Sequence, residues 1–241
     1  GFLASGINVV DIGLAATPML YYASKMLDAP GAIMITGSHN PPIYNGFKLV
    51  LANSPFWADQ IQQLGKRSAA GDWIKGRGEK LELYVLESYV SRLCRDYRSE
   101  RELKVVWDVG NASVGPAVVE LARRLPGHHV VLNETVDGTF PAHHPDPTMP
   151  ENLTDLINSV TGMGYELGIA FDGDGDRIGA VDGEGRIVWG DQLLAIYAKE
   201  LLGRTPGVEV IADVKASQVL FDEVEKLGGK PVMCAPGHSV I

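Results

Sequence analysis

Residues 104–125 read KVVWDVGNASVGPAVVELARRL, and this stretch decides the fold class. It begins with an apolar run rich in β-branched residues, continues through a glycine-bounded bend, and ends in ten residues with helical spacing. The same order of strand, bend and helix is found on both sides of it, at residues 7–27 and 208–227. Strands that alternate with helices indicate βαβ units and mostly parallel sheets. The sequence therefore predicts an α/β protein.

Breaks in this alternation predict three consecutive α/β units. The chain has 241 residues, enough for more than one domain. Segments rich in glycine and charge lie near residues 71–80 and 183–190, so we divide the chain into units 1–80, 81–185 and 186–241. The chain has no initiator methionine and ends abruptly, and we expect it to be a piece of a longer protein.

Composition argues against several classes of protein. Hydrophobic residues make up 45% and charged residues 21%, as in ordinary globular domains, and no apolar run reaches the length of a membrane span. The net charge of −9 and the lack of a basic stripe argue against nucleic acid and anionic membranes as partners. The only cysteines, Cys94 and Cys234, are far apart, which favours a reducing cytoplasm over a disulfide framework.

A first polar loop, TGSHNPP at residues 36–42, directly follows an apolar strand. Loops at the carboxyl ends of strands are where α/β sheets bind ligands. A hydroxyl in this loop, stiffened by two prolines, can serve as a fixed nucleophile or phosphoryl carrier. The alternative is a plain turn in which Ser38 and Asn40 bond the backbone. No G-x-S-x-G motif is present, which disfavours an α/β-hydrolase serine.

A second polar loop, FDGDGDR at residues 171–177, also follows an apolar strand. In an extended segment the three aspartates at i, i+2 and i+4 would point the same way, and a hard divalent cation is their natural partner. Arg177 can then clamp a phosphate with two hydrogen bonds. A solvated acidic turn is the alternative. An EF-hand fits poorly, because Arg177 and Gly183 stand where that loop needs glycine and glutamate.

Together the two loops closely resemble those of the α-D-phosphohexomutases. GAIMITGSHNPPIYNGFKLV (31–50) is similar to their phosphoserine loop, usually written TASHNP, and FDGDGDR is similar to their metal loop. Three more segments match in order: DGTFPAHHPDPTMPENL (137–153), WGDQLLAIYA (189–198) and ADVKAS (212–217). Among the branches of the family, the phosphomannomutase/phosphoglucomutase branch is the most similar and the phosphoglucosamine mutase branch is the nearest rival.

The resemblance implies three-layer α/β domains with mixed or parallel sheets, truncated at both ends relative to a four-domain family. Residues 1–80 would be the C-terminal part of domain 1 with the phosphoserine loop. Residues 81–185 would be domain 2 with the metal-binding loop, and residues 186–241 the N-terminal part of the sugar-binding domain 3. The connection that carries His143 and His144 would have a structural role and not a metal-binding one.

The implied activity is an intramolecular phosphotransfer that interconverts hexose 1-phosphate and hexose 6-phosphate, of mannose and glucose, through a phosphoserine and a 1,6-bisphosphate. The implied cofactors are Mg²⁺ and glucose 1,6-bisphosphate as activator. We expect a cytoplasmic monomer that acts on phosphosugars, and poor turnover by these residues alone. A phosphoglucosamine mutase, a metal-dependent phosphatase that uses a phosphoserine, and a non-catalytic phosphosugar-binding protein remain open.

The resemblance also implies a role for each site residue. Ser38 would carry the phosphoryl group, and Lys48 would assist as general acid/base or stabilise the leaving oxygen. His39 would orient the serine or take part in proton transfer, and Arg177 would bind phosphate or fix Ser38. The full sets are catalytic Ser38, His39, Lys48 and Arg177; substrate-binding Lys215 and His238; and metal-binding Ser38, Asp172, Asp174 and Asp176.

Overall fold

The computed structural model describes residues 1–52, 54–99 and 101–237, in which strands and helices alternate as expected. Two short 3-10 helices lie at Phe2–Ser5 and Pro150–Leu153. No helix within these residues is both long and apolar enough to cross a bilayer. The other elements, in chain order, are β1 (Val9–Asp11), α1 (Thr17–Met26), β2 (Gly31–Ile35), β3 (Phe47–Leu51), β4 (Ser54–Pro55), α2 (Asp59–Ala69), β5 (Lys80–Glu82), α3 (Leu86–Asp96), β6 (Leu103–Asp108), α4 (Gly115–Arg124), β7 (Gly127–Leu132), α5 (Thr154–Met163), β8 (Leu167–Phe171), β9 (Ile178–Asp182), β10 (Ile187–Val188), α6 (Gly190–Arg204), β11 (Glu209–Asp213), α7 (Gln218–Lys226) and β12 (Lys230–Cys234).

The middle of the chain forms a three-layer α/β unit around a five-stranded sheet in the order β10-β9-β8-β6-β7. Successive side chains of a strand face opposite sides of a sheet, and β6 follows this rule. Val105 and Trp107 join the apolar cluster that α3 and α4 contribute to, whereas Val106 joins the cluster of α5. The two helical layers are held by buried apolar residues such as Val90 and Leu156. This packing fixes the ends of β6 and β8, and the second polar loop begins where β8 ends.

The sheets are mixed, which confirms the mixed or parallel sheets that the resemblance implied and corrects the mostly parallel sheets that the alternation alone indicated. The pairs β1-β5, β6-β7, β6-β8 and β11-β12 are parallel. The pairs β2-β3, β3-β4, β8-β9 and β9-β10 are antiparallel. The reason lies in the connections, because a parallel pair needs a long crossover that usually contains a helix. The loops after β2, β8 and β9 contain none. Strands β9 and β10 form an antiparallel hairpin.

Four of the strands and helices were not indicated by the sequence pattern: β4, α2, β5 and β7. Helix α2 has apolar Ile61 and Leu64 three positions apart, but none of its residues is buried. Strands β5 and β7 lie at the margins of their sheets, and β7 begins with a glycine and two histidines. The division into units stays a prediction. Its boundary after residue 80 falls inside β5, which pairs with β1, and its boundary after 185 falls in the β9-β10 turn.

Candidate active site

The loops that follow β2 and β8 meet at one place in the structure. The Ser38 hydroxyl donates to Asp172 Oδ2 at 3.0 Å and lies 3.2 Å from Asp174 Oδ1. A Cβ atom at Gly173 would lie 2.1 Å from the Ser38 carbonyl oxygen, so only glycine lets the two backbones come this close. The contact places the predicted phosphoryl carrier against the acidic cluster.

Ser38 has a strained backbone, with a φ of +52° in the left-handed region. A residue with a side chain in such a region costs roughly 1–3 kcal/mol and persists only where its surroundings enforce it. Here the Ser38 amide donates to Thr36 Oγ1 at 2.8 Å, and the next turn closes with the Asn40 amide on the Gly37 carbonyl at 2.9 Å. Strain of this kind is concentrated at functional sites, where it fixes the direction of a side chain.

The three aspartates converge through a turn and not through an extended segment, which corrects the sequence interpretation. Gly175 has a φ of +69°, and its amide donates to the Asp172 carbonyl at 3.0 Å. The amides of Asp176 and Arg177 donate to Asp172 Oδ1 at 3.0 and 3.1 Å. Glycine allows the chain to reverse, and the Asp172 carboxylate closes the turn.

The resulting carboxylate cluster suits a hard divalent cation. One oxygen from each of Asp172, Asp174 and Asp176 lies within 4.8 Å of the others. Burial, followed by repulsion from the other two carboxylates, raises the pKa of Asp172. The donor set contains only oxygen, which matches Mg²⁺ and disfavours metals that prefer sulfur or nitrogen. A bound cation would relieve the mutual repulsion that this arrangement creates.

Two cationic side chains reach the same carboxylates. Lys48 Nζ lies 2.6 Å from Asp174 Oδ2 and 2.5 Å from Asp176 Oδ2, and Arg177 Nη2 lies 3.0 Å from Asp172 Oδ2. Burial alone would lower the pKa of Lys48, but its hydrogen bonds to the two aspartates outweigh this and raise it. Lys48 therefore stays protonated in this arrangement, as a donor close to the serine.

Arg177 and His39 complete the surroundings of the serine hydroxyl. Arg177 Nη2 donates to Ser38 Oγ at 2.8 Å, and His39 Nδ1 lies 3.4 Å from the same oxygen. The guanidinium also contacts the His39 ring. The structure thus brings together seven of the nine residues predicted for the site: Ser38, His39, Lys48, Asp172, Asp174, Asp176 and Arg177.

Lys215, one of the two predicted substrate-binding residues, is not part of this cluster. Lys215 follows β11, its side chain is 75% exposed, and its ion-pair partner within the described chain is Asp213 at 3.6 Å. His238 lies outside the described residues. Both roles stay predictions.

Thr17 is a contributor that the sequence analysis did not single out. It is fully buried, its hydroxyl donates to Asp174 Oδ2 at 2.6 Å, and its amide donates to the Asp174 carbonyl at 2.8 Å. Burial alone would raise the pKa of Asp174, but hydrogen bonds from Lys48 and Thr17 outweigh it and lower the pKa. No spacing in the sequence signals a contact between residues 157 positions apart.

The sequence analysis also did not predict a buried hydrogen-bond network at the end of β6. The Asp108 carboxylate at the end of β6 accepts hydrogen bonds from the Gly110 amide at 3.0 Å and from Asn133 Nδ2 at 2.9 Å. His143 Nε2 lies 2.9 Å from its other oxygen. Such a pairing supports a structural role for His143, as the resemblance implied.

The His143 pair makes stability depend on pH. The hydrogen bond to Asp108 is the largest influence on the pKa of His143 and raises it, while burial has a smaller effect that lowers it. Together they raise the pKa of His143 from 6.5 to about 8. Because the pKa is higher in the folded state, the contribution is complete below pH 6.5 and is lost as pH rises through 8. We expect the contribution of His143 to the free energy of unfolding to fall by about 2 kcal/mol as pH rises from below 6.5 to above 8. Urea melts of the wild type and His143→Gln would measure it, with the exposed His128→Gln as the matched control. A His143→Gln protein that keeps the full pH dependence would contradict the assignment.

Gly173 offers a direct test of the contact between the loops. Alanine there would overlap the Ser38 carbonyl, and backbone cannot yield as a flexible side chain does. We expect Gly173→Ala to separate the loops and to lower catalytic activity about a hundredfold. Gly138→Ala is the control, because nothing lies within 4 Å of its Cβ position. Activity of Gly173→Ala equal to that of the control would refute the close approach.

Family comparisons match nearly the whole chain. The models described as phosphoglucomutase/phosphomannomutase alpha/beta/alpha domains I, II and III match residues 1–74, 87–185 and 189–241, respectively. The phosphomannomutase/phosphoglucomutase of Pseudomonas putida is 43% identical over 241 residues, which are 100% of this chain and 52% of that protein. The phosphoglucomutase of Neisseria meningitidis serogroup B is 40% identical over 247 residues, covering 100% of this chain and 53% of that protein.

A solved structure agrees with these sequence matches. A phosphoglucomutase/phosphomannomutase family protein from Burkholderia thailandensis superposes with a TM-score of 0.94 at 41% identity, over 99% of this chain and 54% of that one. A phosphomannomutase homologue from Thermus thermophilus, at 23% identity and a TM-score of 0.84, shares the fold. The chain spans about half the length of the curated relatives that it matches.

Proposed function

The chain belongs to the phosphoglucomutase/phosphomannomutase family, and from that premise we propose that it carries the phosphoserine and metal loops of a hexose-phosphate mutase. The observation that best supports this is the position of the Ser38 hydroxyl. It lies between the anions Asp172 and Asp174 and the cation Arg177, on a strained backbone. A hydroxyl held in this way suits reversible transfer of a phosphoryl group.

In the proposed reaction the phosphorylated Ser38 donates its phosphoryl group to a hexose monophosphate. The bond between phosphorus and Ser38 Oγ breaks as a bond to the sugar hydroxyl oxygen forms, which produces a 1,6-bisphosphate. The second phosphoryl group then returns to Ser38 by the reverse chemistry at the other end of the sugar. The product is the isomeric monophosphate, and the enzyme is ready for the next cycle.

The residues around Ser38 have distinct tasks in this reaction. The charged Lys48 stabilises negative charge on the Ser38 oxygen that leaves and supplies a proton to it, and the proton released by the attacking sugar hydroxyl returns the lysine to its charged form. Arg177, whose Nη2 lies 2.8 Å from Ser38 Oγ, holds phosphoryl oxygens, and His39 orients the serine. Asp172, Asp174 and Asp176 would hold Mg²⁺, with Ser38 as the fourth residue of the site. When bound, this cation neutralises charge on the transferred group.

Substrate recognition is proposed from the family. We propose mannose and glucose phosphates as substrates and glucose 1,6-bisphosphate as the activator that phosphorylates Ser38. Lys215 and His238 would contact the phosphosugar, and residues 186–241 would supply part of the sugar-binding surface. The proposal places a monomer in the cytoplasm and expects poor turnover from these residues alone.

Phosphosite mapping tests this function. The full natural chain is incubated with glucose 1,6-bisphosphate and Mg²⁺, digested, and analysed by mass spectrometry for phosphate at Ser38. Phosphorylated protein is then mixed with mannose, glucose or glucosamine monophosphates to see which sugar takes the group. Phosphate on Ser38 that passes to mannose and glucose supports the mutase. Steady release of inorganic phosphate without isomerisation would favour a phosphatase, and an unmodified Ser38 would overturn the mechanism.

A further inference from the structure

Thr17 lies at the start of helix α1, against the metal-binding loop, and holds Asp174 by two hydrogen bonds. Its amide donates to the Asp174 carbonyl oxygen at 2.8 Å, and its hydroxyl donates to Asp174 Oδ2 at 2.6 Å. The second distance is typical of a hydroxyl that donates to a charged carboxylate, a bond about twice as strong as one between neutral groups. One fully buried residue therefore fixes both the backbone and the side chain of a predicted metal ligand.

The two oxygens of the Asp174 carboxylate have different surroundings. Oδ2 accepts from the Thr17 hydroxyl and from Lys48 Nζ, each at 2.6 Å. Oδ1 lies 3.2 Å from Ser38 Oγ. The torsion that turns an aspartate carboxylate about its last carbon–carbon bond has only broad minima, so it does not fix the direction of the group by itself. The donors on Oδ2 therefore decide where Oδ1 points.

Thr17 is the more rigid of the two donors on Oδ2. Threonine is β-branched and stiff about its first side-chain torsion, and here it is completely buried. Lys48 ends a flexible four-carbon stem, is 21% exposed, and shares its Nζ with Asp176 Oδ2 at 2.5 Å. The lysine can follow the carboxylate if the carboxylate turns, whereas the threonine cannot. The Thr17 hydroxyl is therefore the group that keeps Oδ1 directed at Ser38.

The backbone around Asp174 is held independently of this hydroxyl. A Cβ atom at Gly175 would lie 3.3 Å from Ala16 Cβ and 2.8 Å from Val114 Cβ, so the loop packs between the residue before Thr17 and the start of α4. This packing and the bond from the Thr17 amide both remain when the hydroxyl is removed. The effect of the hydroxyl on the carboxylate can therefore be separated from the effect of the fold.

We propose that Thr17 is a positioning residue for metal binding: its hydroxyl holds the Asp174 carboxylate with Oδ1 toward Ser38, which presets the acidic cluster for a divalent cation. The inference rests on the proposed function and adds to it a residue that acts through Asp174. Loss of a partner that orients a metal ligand typically costs roughly 10–100-fold in affinity, so we expect an effect of about tenfold.

A matched pair of variants tests the hydroxyl. Thr17→Val replaces it with a methyl group and keeps the amide. Thr139→Val is the control, because Thr139 also donates its hydroxyl and its amide to one aspartate, Asp137, at 2.7 and 2.8 Å, and Asp137 is not in the acidic cluster. In the full natural chain we expect Thr17→Val to weaken Mn²⁺ binding about tenfold, measured by the electron paramagnetic resonance of the free ion. Thr139→Val should bind as the wild type does, and equal affinities of the two variants would overturn the inference.

Two smaller residues give the same test if valine disturbs the fold. Thr17→Ser keeps the hydroxyl and Thr17→Ala lacks it, and neither adds an atom to the buried position. We expect Thr17→Ser to bind Mn²⁺ nearly as the wild type does and Thr17→Ala to bind it about tenfold more weakly than Thr17→Ser. A threonine with only a structural role would lower the melting temperature of both variants and leave their Mn²⁺ affinities equal, and that result would contradict the proposal.

A double variant tests whether Thr17 acts through Asp174. Thr17→Val should cost no further Mn²⁺ affinity in a chain that already carries Asp174→Asn, because the charged ligand that the hydroxyl orients is gone. A further tenfold loss in the double variant would show that Thr17 acts by another route, and the inference would be wrong. If the wild type binds no Mn²⁺, the proposed metal site fails and the inference fails with it. If the wild type binds Mn²⁺ and Thr17→Val matches Thr139→Val, the inference alone fails.

Discussion

Replacing Ser38 with alanine is expected to abolish phosphorylation of the protein and to lower mutase activity at least about a thousandfold. Alanine removes the only atom of this residue that can form a bond to phosphorus. The surrounding side chains cannot take over this role. Lys48 and Arg177 are hydrogen-bond donors, and the three aspartates are paired with these two cationic side chains. The measurement is incorporation of phosphate from labelled glucose 1,6-bisphosphate, together with the rate of isomerisation.

The stability of the variant separates loss of chemistry from loss of fold. Alanine has a Cβ atom, so it keeps the left-handed strain at φ +52°, and we expect melting close to that of the wild type. Ser113→Ala is the control, because the Ser113 hydroxyl also lies beside the metal loop, 3.4 Å from the Gly173 carbonyl oxygen. If labelling survived in Ser38→Ala and disappeared in Ser113→Ala, the phosphoryl carrier would be Ser113 and the assignment to Ser38 would be wrong.

Replacing Asp174 with asparagine is expected to weaken binding of a divalent cation at least about a hundredfold. Loss of a partner that only orients a ligand already costs 10–100-fold, and Asp174 is a predicted ligand itself. The Asp174 side chain is 3% exposed and accepts hydrogen bonds from Lys48 and Thr17. The asparagine side chain that replaces it therefore has no room to turn toward solvent. Titration with Mn²⁺, followed by the electron paramagnetic resonance of the free ion, measures this affinity without any assay of activity.

A carboxylate outside the cluster is the control for Asp174. Asp182 ends β9 in the same part of the sheet and is bonded to Arg186, with Nε at 2.7 Å from Oδ2. Asp182→Asn should therefore bind Mn²⁺ as the wild type does. Unchanged affinity in Asp174→Asn would show that the cation, if any, binds elsewhere, and the metal role of the cluster would be rejected.

Much of this protein follows from local sequence. The alternation of apolar runs and amphipathic segments predicts the α/β class, and β8, Leu167–Phe171, is the apolar strand that the second polar loop follows. Both polar loops are recognised because they directly follow strands and contain reactive side chains close together. The loops alone indicate Ser38, the three aspartates and Arg177, whereas His39 and Lys48 were named from the resemblance to the phosphohexomutases.

Packing between distant segments decided the rest. The meeting of Ser38 with Asp172 joins residues 134 positions apart, and it depends on Gly173 having no side chain. The contribution of Thr17 depends on helix α1 beginning against the metal loop. Neither contact can be predicted from the spacing of residues in the sequence. The local pattern indicates which face of a strand or helix a residue occupies, but it does not indicate which distant segment packs against that face.

The backbone states and charges also came from tertiary structure. The turn at Gly175 replaced the extended segment that alternation suggested, since the Asp172 carboxylate bonds the amides of Asp176 and Arg177. The protonation of His143 is set by Asp108 across 35 positions, in an interior where a carboxylate must be paired. The sequence by itself indicated which groups are candidates for the chemistry. Only the tertiary structure determined how these side chains are oriented toward one another, because burial and close approach of the backbone are properties of the packed chain.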